Sequence, residues 1–510
     1  MPASTSSVPT LPLGPDTSLS SEALERAALH PNTTIASSDA ARTALRRART
    51  ALGTVRDDGA PVYGVTTGFG PLHEYEADDA PDAHGDGLLA HLATGSGDWV
   101  APPLVRALTA ARLHSLAQGH SAIRPSTFDG LVAIFEANVV PAVPAIGSVG
   151  ASGDLTPLAH VARACTGEGL VLDDGTPAPA APALSGAGVA PVDLDARDAL
   201  ALVNGTDFMT AAAALAVART QRLLERAEVL TGWAYRLLGC SLEPLDARLH
   251  EARGHTGQVD SAAAIREEAT RDGRHGRDER PLQEVYSLRC APQILGAVRD
   301  QLDYTRQVVE TELNGVTDNP VIDPDEPAAL HGGNFQGQQV AFAADALNEA
   351  TTQIGVLAER QIDLLLSPEQ TDGAPPLLAW DPGPTSGLAG AQLTATALVA
   401  ELRQNAQMAG TSSIPTNGDN QDIVSMGALA ARTAHEQTEH LAPLLAVLGL
   451  ALAQLTHLRE EGRADGPAPS PPDWMPAVDP IKEDRPLRRE IDHIATEWTT
   501  PPDLPPAPDA

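Results

Sequence analysis

Hydrophobic side chains recur at helical spacing along much of the chain, most strongly in its second half. Over residues 292–313 the apolar positions fall on one side of a helix, at Leu295, Val298, Leu302, Val309 and Leu313. Three more long stretches repeat this pattern, at 210–238, 339–366 and 436–462. Because long helices bury such stripes best against one another, the pattern predicts a helical bundle.

Breaks in this pattern divide the chain into five parts. We expect a disordered tail at 1–20, an N-terminal mixed α/β domain at 21–205 and the central long-helix bundle at 206–464. A Pro-rich linker follows at 465–480, and a C-terminal helix and tail occupy 481–510.

Two segments inside these parts have a different character. Residues 167–193 resemble short strands and loops on a surface excursion. Residues 253–282 are highly charged and contain many arginines. We expect the second segment to be a solvated connection, or a lid, since it leads directly into the polar motif that begins at Tyr286.

Composition and charge indicate which residues fill the core and which classes of partner are disfavoured. Hydrophobic residues make up 42% of the 510 residues and aromatic residues only 3%. Alanine, leucine and valine must therefore fill the core, which suits closely packed helices. The formal charge of −33 opposes binding to nucleic acid or to an anionic membrane, and a solvated acidic surface explains it more simply.

Cysteine usage and the apolar runs indicate a cytoplasmic protein. Cys165, Cys240 and Cys290 are far apart, odd in number and in no metal-ligand spacing, which is typical of buried thiols in a reducing compartment. The first 20 residues lack the features of a signal peptide. The longest apolar run, 441–453, is too short to span a bilayer, so we expect a buried helix there and no membrane partner.

Short islands of glycine and polar residues interrupt the helical pattern where a bundle favours leucine. Singly, each fits ordinary loop and capping chemistry, but their occurrence together in one chain indicates a site. Tyr286 and Arg289 are three residues apart, so they share a face if their island is helical. The islands are YGVTTGFG at 63–70, GSVGASGDLTPLAH at 147–160, LVNGTDFM at 202–209, YSLRCAPQ at 286–293, HGGNFQG at 331–337 and IPTNGDNQDIVSMG at 414–427.

The tripeptide Ala151-Ser152-Gly153 carries the most distinctive chemistry. The amide nitrogen of Gly153 can attack the carbonyl carbon of Ala151, and glycine is needed because a side chain would obstruct the tight turn. Loss of one water from the ring and another from Ser152 leaves an exocyclic methylene conjugated to carbonyl-like groups. This electrophile captures an amine or an electron-rich ring and makes ammonia a workable leaving group.

These motifs, in this order, resemble the aromatic amino acid ammonia-lyases and aminomutases, which carry the 4-methylidene-imidazole-5-one (MIO) prosthetic group. The resemblance covers roughly residues 20–495 and includes ALALVNGT and TDNPV besides the islands. It implies a mainly α, fumarase/aspartase-like long-helix bundle with an N-terminal mixed α/β domain that bears MIO. It also implies a carbon–nitrogen lyase that is a homotetramer, with each active site drawing on three chains, and that has no metal or external cofactor.

The resemblance also assigns roles to residues of the matching motifs. Ala151, Ser152 and Gly153 would form MIO, and Tyr63 resembles the base that removes a β-proton. Arg289 would hold the substrate carboxylate through its guanidinium fork. Asn204 and Tyr286 would help MIO formation and the elimination step. The substrate and MIO network would be completed by Gly70, His91, Leu92, Leu155, Phe335, Asn417, Asn420 and Gln421.

His91 indicates which ring is bound. Aligned on Gly95-x-Gly97, His91-Leu92 stands where histidine enzymes have Ser-His and phenylalanine enzymes usually have Phe-Leu, and it resembles the tyrosine ammonia-lyases. Gln421 also replaces the glutamate of histidine enzymes. A buried imidazole can pair with a phenol hydroxyl, whereas an apolar ring would leave that hydroxyl unsatisfied at a cost of about 1–3 kcal/mol. The resemblance thus implies elimination of ammonia from L-tyrosine to give trans-4-coumarate.

Three alternatives stay open. A tyrosine 2,3-aminomutase would use the same groups and return ammonia to Cβ, a phenylalanine or histidine ammonia-lyase would differ in the ring pocket, and an MIO-less helical scaffold would lack the chemistry. The chain also departs from its relatives before the His91 segment. Many have Leu-Gln-x-Asn-Leu there, but this chain has Gly85 and Gly87 at the polar positions, after an unusually acidic loop within 73–87.

Overall fold

The structure is a computed structural model that describes residues 8–72, 74–75, 81–273, 282–502 and 504, with the backbone alone described at 81–83. Long helices dominate it, and its four sheets have only two strands each. The predicted mainly α architecture is confirmed.

The helices begin and end close to the breaks in the hydrophobic pattern. Ser20 and Ser38 cap the first two through their hydroxyl oxygens, which accept from the amides of Ala23 and Ala41. In chain order the helices are α1 (Ser21–Leu29), α2 (Asp39–Asp57), α3 (Pro81–Leu92), α4 (Pro102–Ala117), α5 (Pro125–Glu136), α6 (Leu155–Cys165), α7 (Ala180–Gly186), α8 (Ala196–Val203), α9 (Asp207–Leu238), α10 (Ala247–Glu251), α11 (Thr256–Ala269), α12 (Tyr286–Arg289), α13 (Ala291–Leu313), α14 (Gln338–Leu365), α15 (Ala389–Asn405), α16 (Gly427–Glu460) and α17 (Arg488–Thr499).

The strands form four separate pairs. The first pair is parallel and the others are antiparallel, and β5–β6 is the strand-like excursion expected within 167–193. The strands are β1 (Thr10–Leu13), β2 (Thr34–Ser37), β3 (Ser96–Trp99), β4 (Pro144–Ile146), β5 (Leu170–Asp173), β6 (Thr176–Pro179), β7 (Val321–Asp323) and β8 (Ala328–Leu330).

The N-terminal segment differs from the disordered tail expected at 1–20. Residues Thr10–Leu13 form β1, which pairs in parallel with β2, and Leu11, Leu13 and Leu19 are buried. Burial of these leucines offsets the entropy of ordering the segment.

The chain forms two compact units, each built from three stretches of sequence rather than from consecutive domains. The first comprises 1–218, 306–345 and 408–435. Within it α4 is buried on every side from Leu104 to Ala117, and α3, α6 and α8 pack against one another. These last three helices position the candidate site: α3 ends at Leu92, α6 begins two residues after Gly153, and α8 ends just before Asn204.

The second unit comprises 219–305, 346–407 and 436–510. Its interior contains Trp233 and Trp498, both fully buried, and Trp498 meets Trp474 edge to face with ring centroids 5.4 Å apart. The five apolar positions predicted to form the stripe of α13 are all buried, which confirms the helical periodicity.

Two helical stretches are long and apolar enough to cross a bilayer, Ala196–Leu238 and Gly427–Glu460. Their most apolar windows are 100% and 89% buried within the protein, so they are core helices of this fold. The second includes the predicted buried run at 441–453 and continues through Pro443.

Candidate active site

A cavity of about 620 Å³ in the first unit contains most of the predicted site residues. The tripeptide Ala151-Ser152-Gly153 forms part of its wall. The other predicted residues that line it are Tyr63, Gly70, His91, Leu92, Leu155, Asn204, Asn417 and Gln421. Residues from four of the six polar islands and from helices α3, α6 and α8, far apart in sequence, therefore meet around the tripeptide.

The backbone of the tripeptide is pressed against the turn that follows α8. Gly153 has a φ of +70°, and a Cβ there would lie 2.6 Å from the carbonyl carbon and 2.8 Å from the nitrogen of Gly205. The amide of Asp154 donates to the Gly205 carbonyl oxygen over 2.7 Å. Glycine at 153 is therefore required both by its conformation and by this close approach.

Two amide side chains that are far apart in the sequence bind Ser152. Gln421 Nε2 donates to the Ser152 hydroxyl oxygen over 2.7 Å, and Asn204 Nδ2 donates to the Ser152 carbonyl oxygen over 3.1 Å. Asn204 is buried because α8 ends at Val203 and the backbone at 204 turns to an extended conformation. Its Oδ1 atom has no hydrogen-bond partner among the residues that the structure describes.

Asp154, directly after the tripeptide, is fully buried. Ser148 Oγ donates to its Oδ1 over 2.7 Å, and the amide of Met209 donates to its Oδ2 over 2.9 Å. Burial raises the pKa of Asp154 to about 7, although these hydrogen bonds act in the opposite direction. Asp154 is not among the predicted site residues. The one feature of the sequence that points to it is its position directly after the tripeptide.

Tyr63 is half-buried, and its hydroxyl oxygen accepts a hydrogen bond from the amide of Gly70 over 2.7 Å. Burial raises the pKa of Tyr63, while the Gly70 amide favours the phenolate and lowers it. The Tyr63 backbone amide donates to His331 Nε2 over 3.1 Å. Gly70 has a φ of +54°, and a Cβ on it would lie 2.8 Å from Asn417 Nδ2, so this turn also needs glycine.

His91 and Leu92 are the last two residues of α3, and both line the cavity. The imidazole is exposed, which corrects the expectation of a buried one, because it stands one residue before the end of the helix. His91 Nδ1 lies 3.0 Å from the carbonyl oxygen of Gly87. A carbonyl only accepts, so Nδ1 carries the proton and Nε2 is the acceptor of the neutral ring.

Buried ion pairs fix the turn that contains Asn204 and Gly205. Arg112 pairs with Asp207 over 3.0 Å and donates from Nε to the carbonyl oxygen of Ala201 over 2.9 Å. A Cβ on Gly205 would overlap the Arg112 guanidinium and the Asp207 carboxylate. Burial raises the pKa of Asp207, and Arg112 opposes that rise. The pair sits directly behind the surface against which Gly153 is pressed.

Four predicted residues do not line this cavity. Phe335 is half-buried and Asn420 is exposed. Tyr286 and Arg289 lie on α12 in the second unit, where the guanidinium stands 4.7 Å from the centre of the Tyr286 ring. The predicted shared face of Tyr286 and Arg289 is thus present, and neither residue is among those that line the described cavity.

Phe69 and His84 line the cavity although the sequence analysis did not select them. Their rings are stacked, with centroids 4.4 Å apart and planes 11° apart. Phe69 also meets Tyr63 edge to face at 6.3 Å. Phe69 lies within the YGVTTGFG island, whereas His84 stands outside every island and gave no pattern by which to find it.

The arrangement combines a tripeptide with the sequence Ala-Ser-Gly, a tyrosine hydroxyl held by a backbone amide, and an imidazole acceptor around one cavity. Across the described parts of the chain, no group of three or more His, Cys, Asp or Glu residues is placed to hold a metal ion. The groups present supply proton transfer, hydrogen bonding and, after cyclisation, an electrophile.

Comparison with known proteins identifies relatives over most of the chain. The sequence profile of the family described as aromatic amino acid lyase matches residues 19–472. A tyrosine ammonia-lyase from Cereibacter sphaeroides is 43% identical over 482 residues, which cover 89% of this chain and 91% of that protein. A histidine ammonia-lyase from Burkholderia pseudomallei is 42% identical over 433 residues, covering 84% and 85%.

A solved structure of a related enzyme has the same fold. The crystal structure of a tyrosine aminomutase from Streptomyces globisporus superposes with a TM-score of 0.87 at 36% identity, over 96% of this chain and 97% of that one. With its site geometry, its family profile and these relatives, the chain belongs to the aromatic amino acid lyase family of carbon–nitrogen lyases.

Proposed function

We propose that this protein is a tyrosine ammonia-lyase, which eliminates ammonia from L-tyrosine to give trans-4-coumarate. The observation that carries the proposal is the presence of Tyr63 and His91 in one cavity with the tripeptide. The reaction requires a base that takes the proton from Cβ, and Tyr63 is proposed for this role. The substrate requires an acceptor for the hydrogen bond of its phenol hydroxyl, and His91 is proposed for that role.

The residues around the tripeptide fit the MIO group. Gly153 has the backbone freedom and the close neighbour, Gly205, that favour attack on the Ala151 carbonyl. Gln421 binds the hydroxyl that leaves as water, and Asn204 binds the Ser152 carbonyl, which becomes the carbonyl of the ring. Once formed, the group supplies the electrophile that makes ammonia a workable leaving group.

Tyr63 is proposed as the base that takes the β-proton. Burial raises the pKa of its hydroxyl and so makes the phenolate a stronger base, and the Gly70 amide holds the oxygen in place through its 2.7 Å hydrogen bond. The reaction balances: L-tyrosine loses a β-proton to Tyr63 and loses its amine as ammonia. The remaining carbon skeleton is trans-4-coumarate, which carries the new double bond.

His91 is proposed to select the phenol. With Nδ1 bound to the Gly87 carbonyl, Nε2 is left to accept the hydrogen bond of the substrate hydroxyl. The imidazole is exposed in the protein without substrate. Once a bound ring excludes water from it, a phenol hydroxyl that pairs with Nε2 favours tyrosine over phenylalanine, because a polar group left unpaired there would cost about 1–3 kcal/mol. Leu92 supplies an apolar wall for the ring.

A homotetramer in the cytoplasm is part of the proposal. Arg289, proposed to bind the carboxylate, has a buried Nε without a hydrogen-bond partner in the described residues, and Tyr286 is 69% exposed. These two, with Phe335 and Asn420, would complete the site of a neighbouring subunit. The first unit exposes apolar side chains suited to such an interface, at Phe342, Met408, Ile414, Ile423 and Leu429. The three free cysteines fit a reducing compartment.

A tyrosine 2,3-aminomutase is the second candidate, favoured by the structural likeness to the Streptomyces globisporus enzyme. It would use the same residues and return ammonia to Cβ. Product analysis with L-tyrosine separates the two: the proposal expects trans-4-coumarate and ammonia in equal amounts, and accumulation of β-tyrosine would reject it.

Competition completes this experiment. L-Tyrosine, L-phenylalanine and L-histidine are offered together, and we expect tyrosine to be consumed first. Ser152→Ala serves as the control, because it cannot form the exocyclic methylene. A near-ultraviolet difference spectrum between the two proteins identifies MIO, and its absence would indicate a scaffold without this chemistry.

A further inference from the structure

We propose that His84 is a positioning residue that fastens the segment carrying Tyr63 to helix α3. We call residues 63–72 the base loop. The inference rests on the proposed function in one respect only, since it takes Tyr63 as the base.

His84 holds the base loop at two points. Its imidazole stacks on Phe69 at 4.4 Å between centroids, nearly parallel at 11°. Its Nε2 lies 3.2 Å from the carbonyl oxygen of Thr67, so the ring nitrogen donates and the carbonyl accepts. A stack and a hydrogen bond on residues two apart fix both the distance and the orientation of the loop against the helix.

The two contacts reach Tyr63 through its neighbours. Phe69 packs edge to face on the Tyr63 ring at 6.3 Å, and the next residue, Gly70, donates its amide to the Tyr63 hydroxyl over 2.7 Å. A displacement of Phe69 would therefore move the surface on which the phenol ring packs and the amide that orients its oxygen. His84 acts on Tyr63 without touching it.

Gly85, next to His84, lets helix α3 pack closely on α8. A Cβ on Gly85 would lie 3.2 Å from Ala199 Cβ and 3.3 Å from the Asp195 carbonyl oxygen. His84 therefore stands on a helix that is itself held in place, and its two contacts hold the base loop to that helix.

A positioning role predicts a loss in kcat rather than in substrate binding. In His84→Ala the loop loses both contacts, and a base misplaced by about 1 Å slows proton transfer on the order of 10- to 100-fold. The KM for L-tyrosine should change less than threefold, about the precision of such a comparison, since His91 remains in place. In His84→Phe the stack is kept and the hydrogen bond is lost. Its kcat should therefore lie between that of His84→Ala and that of the unsubstituted protein.

The experiment measures the loop directly as well as the rate. Hydrogen exchange of the substrate-free protein is followed in peptides that cover 63–72, with Asp86→Ala as the control because Asp86 is exposed on the same helix and does not line the cavity. We expect faster loop exchange in His84→Ala, an intermediate rate in His84→Phe, and no change in the control. The mass of the 151–153 peptide should stay that of the unsubstituted protein in all three.

Unchanged loop exchange in His84→Ala would overturn the proposal, whatever the activity. So would a raised KM with an unchanged kcat, which would make His84 a binding residue. Because the exchange measurement uses no substrate, a failure of the proposed tyrosine chemistry would appear only in the product analysis and would leave the test of His84 intact.

Discussion

Gly153 and Gly205 lie backbone against backbone, so closely that a Cβ on Gly153 would stand 2.6 Å from the carbonyl carbon of Gly205. Gly205 in turn has no room for a side chain, because Arg112 and Asp207 pack behind it. The fold thus presses a buried, ion-paired turn onto the tripeptide that we propose condenses into a ring. We propose that this close approach favours the cyclisation.

Gly205→Ala should block that condensation. The added methyl group would push the turn away from Gly153 or displace the Arg112–Asp207 pair, and breaking a buried pair costs about 3–5 kcal/mol. We expect a protein that keeps the mass of its uncyclised sequence and shows no lyase activity. Gly186→Ala is the control, since a Cβ there meets nothing within 4 Å. Full cyclisation of Gly205→Ala would show that the close approach is dispensable.

His91→Phe should shift preference from L-tyrosine towards L-phenylalanine. The substitution removes the Nε2 acceptor and replaces it with an apolar ring, which changes the ratio of kcat/KM values by about 10- to 100-fold. The measurement is kcat/KM for both amino acids in the variant and the unsubstituted protein. An unchanged ratio would remove His91 from the account of specificity.

If Tyr63 is the base, the pH profile of the rate should rise towards alkaline pH; we call this rise the alkaline limb. Burial raises the pKa of Tyr63 above its ordinary value of 10, so the phenolate fraction grows with pH throughout the range in which the protein is assayed. We expect log kcat/KM to rise with pH, and Tyr63→Phe to lose this limb together with roughly 100-fold or more in kcat. A profile for Tyr63→Phe that parallels the unsubstituted protein would assign the limb to another group.

Asp154 should make stability depend on pH in the opposite sense from an ordinary carboxylate. Burial raises its pKa to about 7 in the fold, whereas an unfolded aspartate titrates near about 3.9. Between these values the folded protein holds a proton that the unfolded chain has lost, so the free energy of unfolding falls as pH rises from about 4 to about 7 and then levels.

Denaturant unfolding of Ser152→Ala and of Ser152→Ala/Asp154→Asn tests this, because neither protein forms MIO. The difference between them should change by about a few kcal/mol across that pH window. A difference that is constant from pH 4 to pH 7 would contradict the raised pKa.

The sequence predicted those parts of the fold and site that local patterns encode. The stripe of α13 is buried as the helical period requires, and four of the six islands of unusual composition contain Tyr63, Asn204, Gln421 and the tripeptide, which the fold gathers around one cavity. Each of these signals lies within one short, continuous stretch of sequence.

What the sequence did not predict depends on contacts between distant segments. β1 is ordered because it pairs with β2, and nothing within residues 10–13 indicates that partner. Residues Thr256–Ala269 form α11 within the segment expected to be a solvated connection; its charged residues masked the buried positions Ala262 and Ile265. The buried state of Asp154 and the stack of His84 on Phe69 likewise appear only once the helices pack.

The central claim is that residues 151–153 condense into a ring. Digestion of the purified protein and mass measurement of the peptide that contains Ala151, Ser152 and Gly153 tests it most directly. The account predicts a peptide lighter than its sequence by the mass of two water molecules, and an unmodified peptide from Ser152→Ala. A peptide of unreduced mass from the unsubstituted, folded protein would contradict the account.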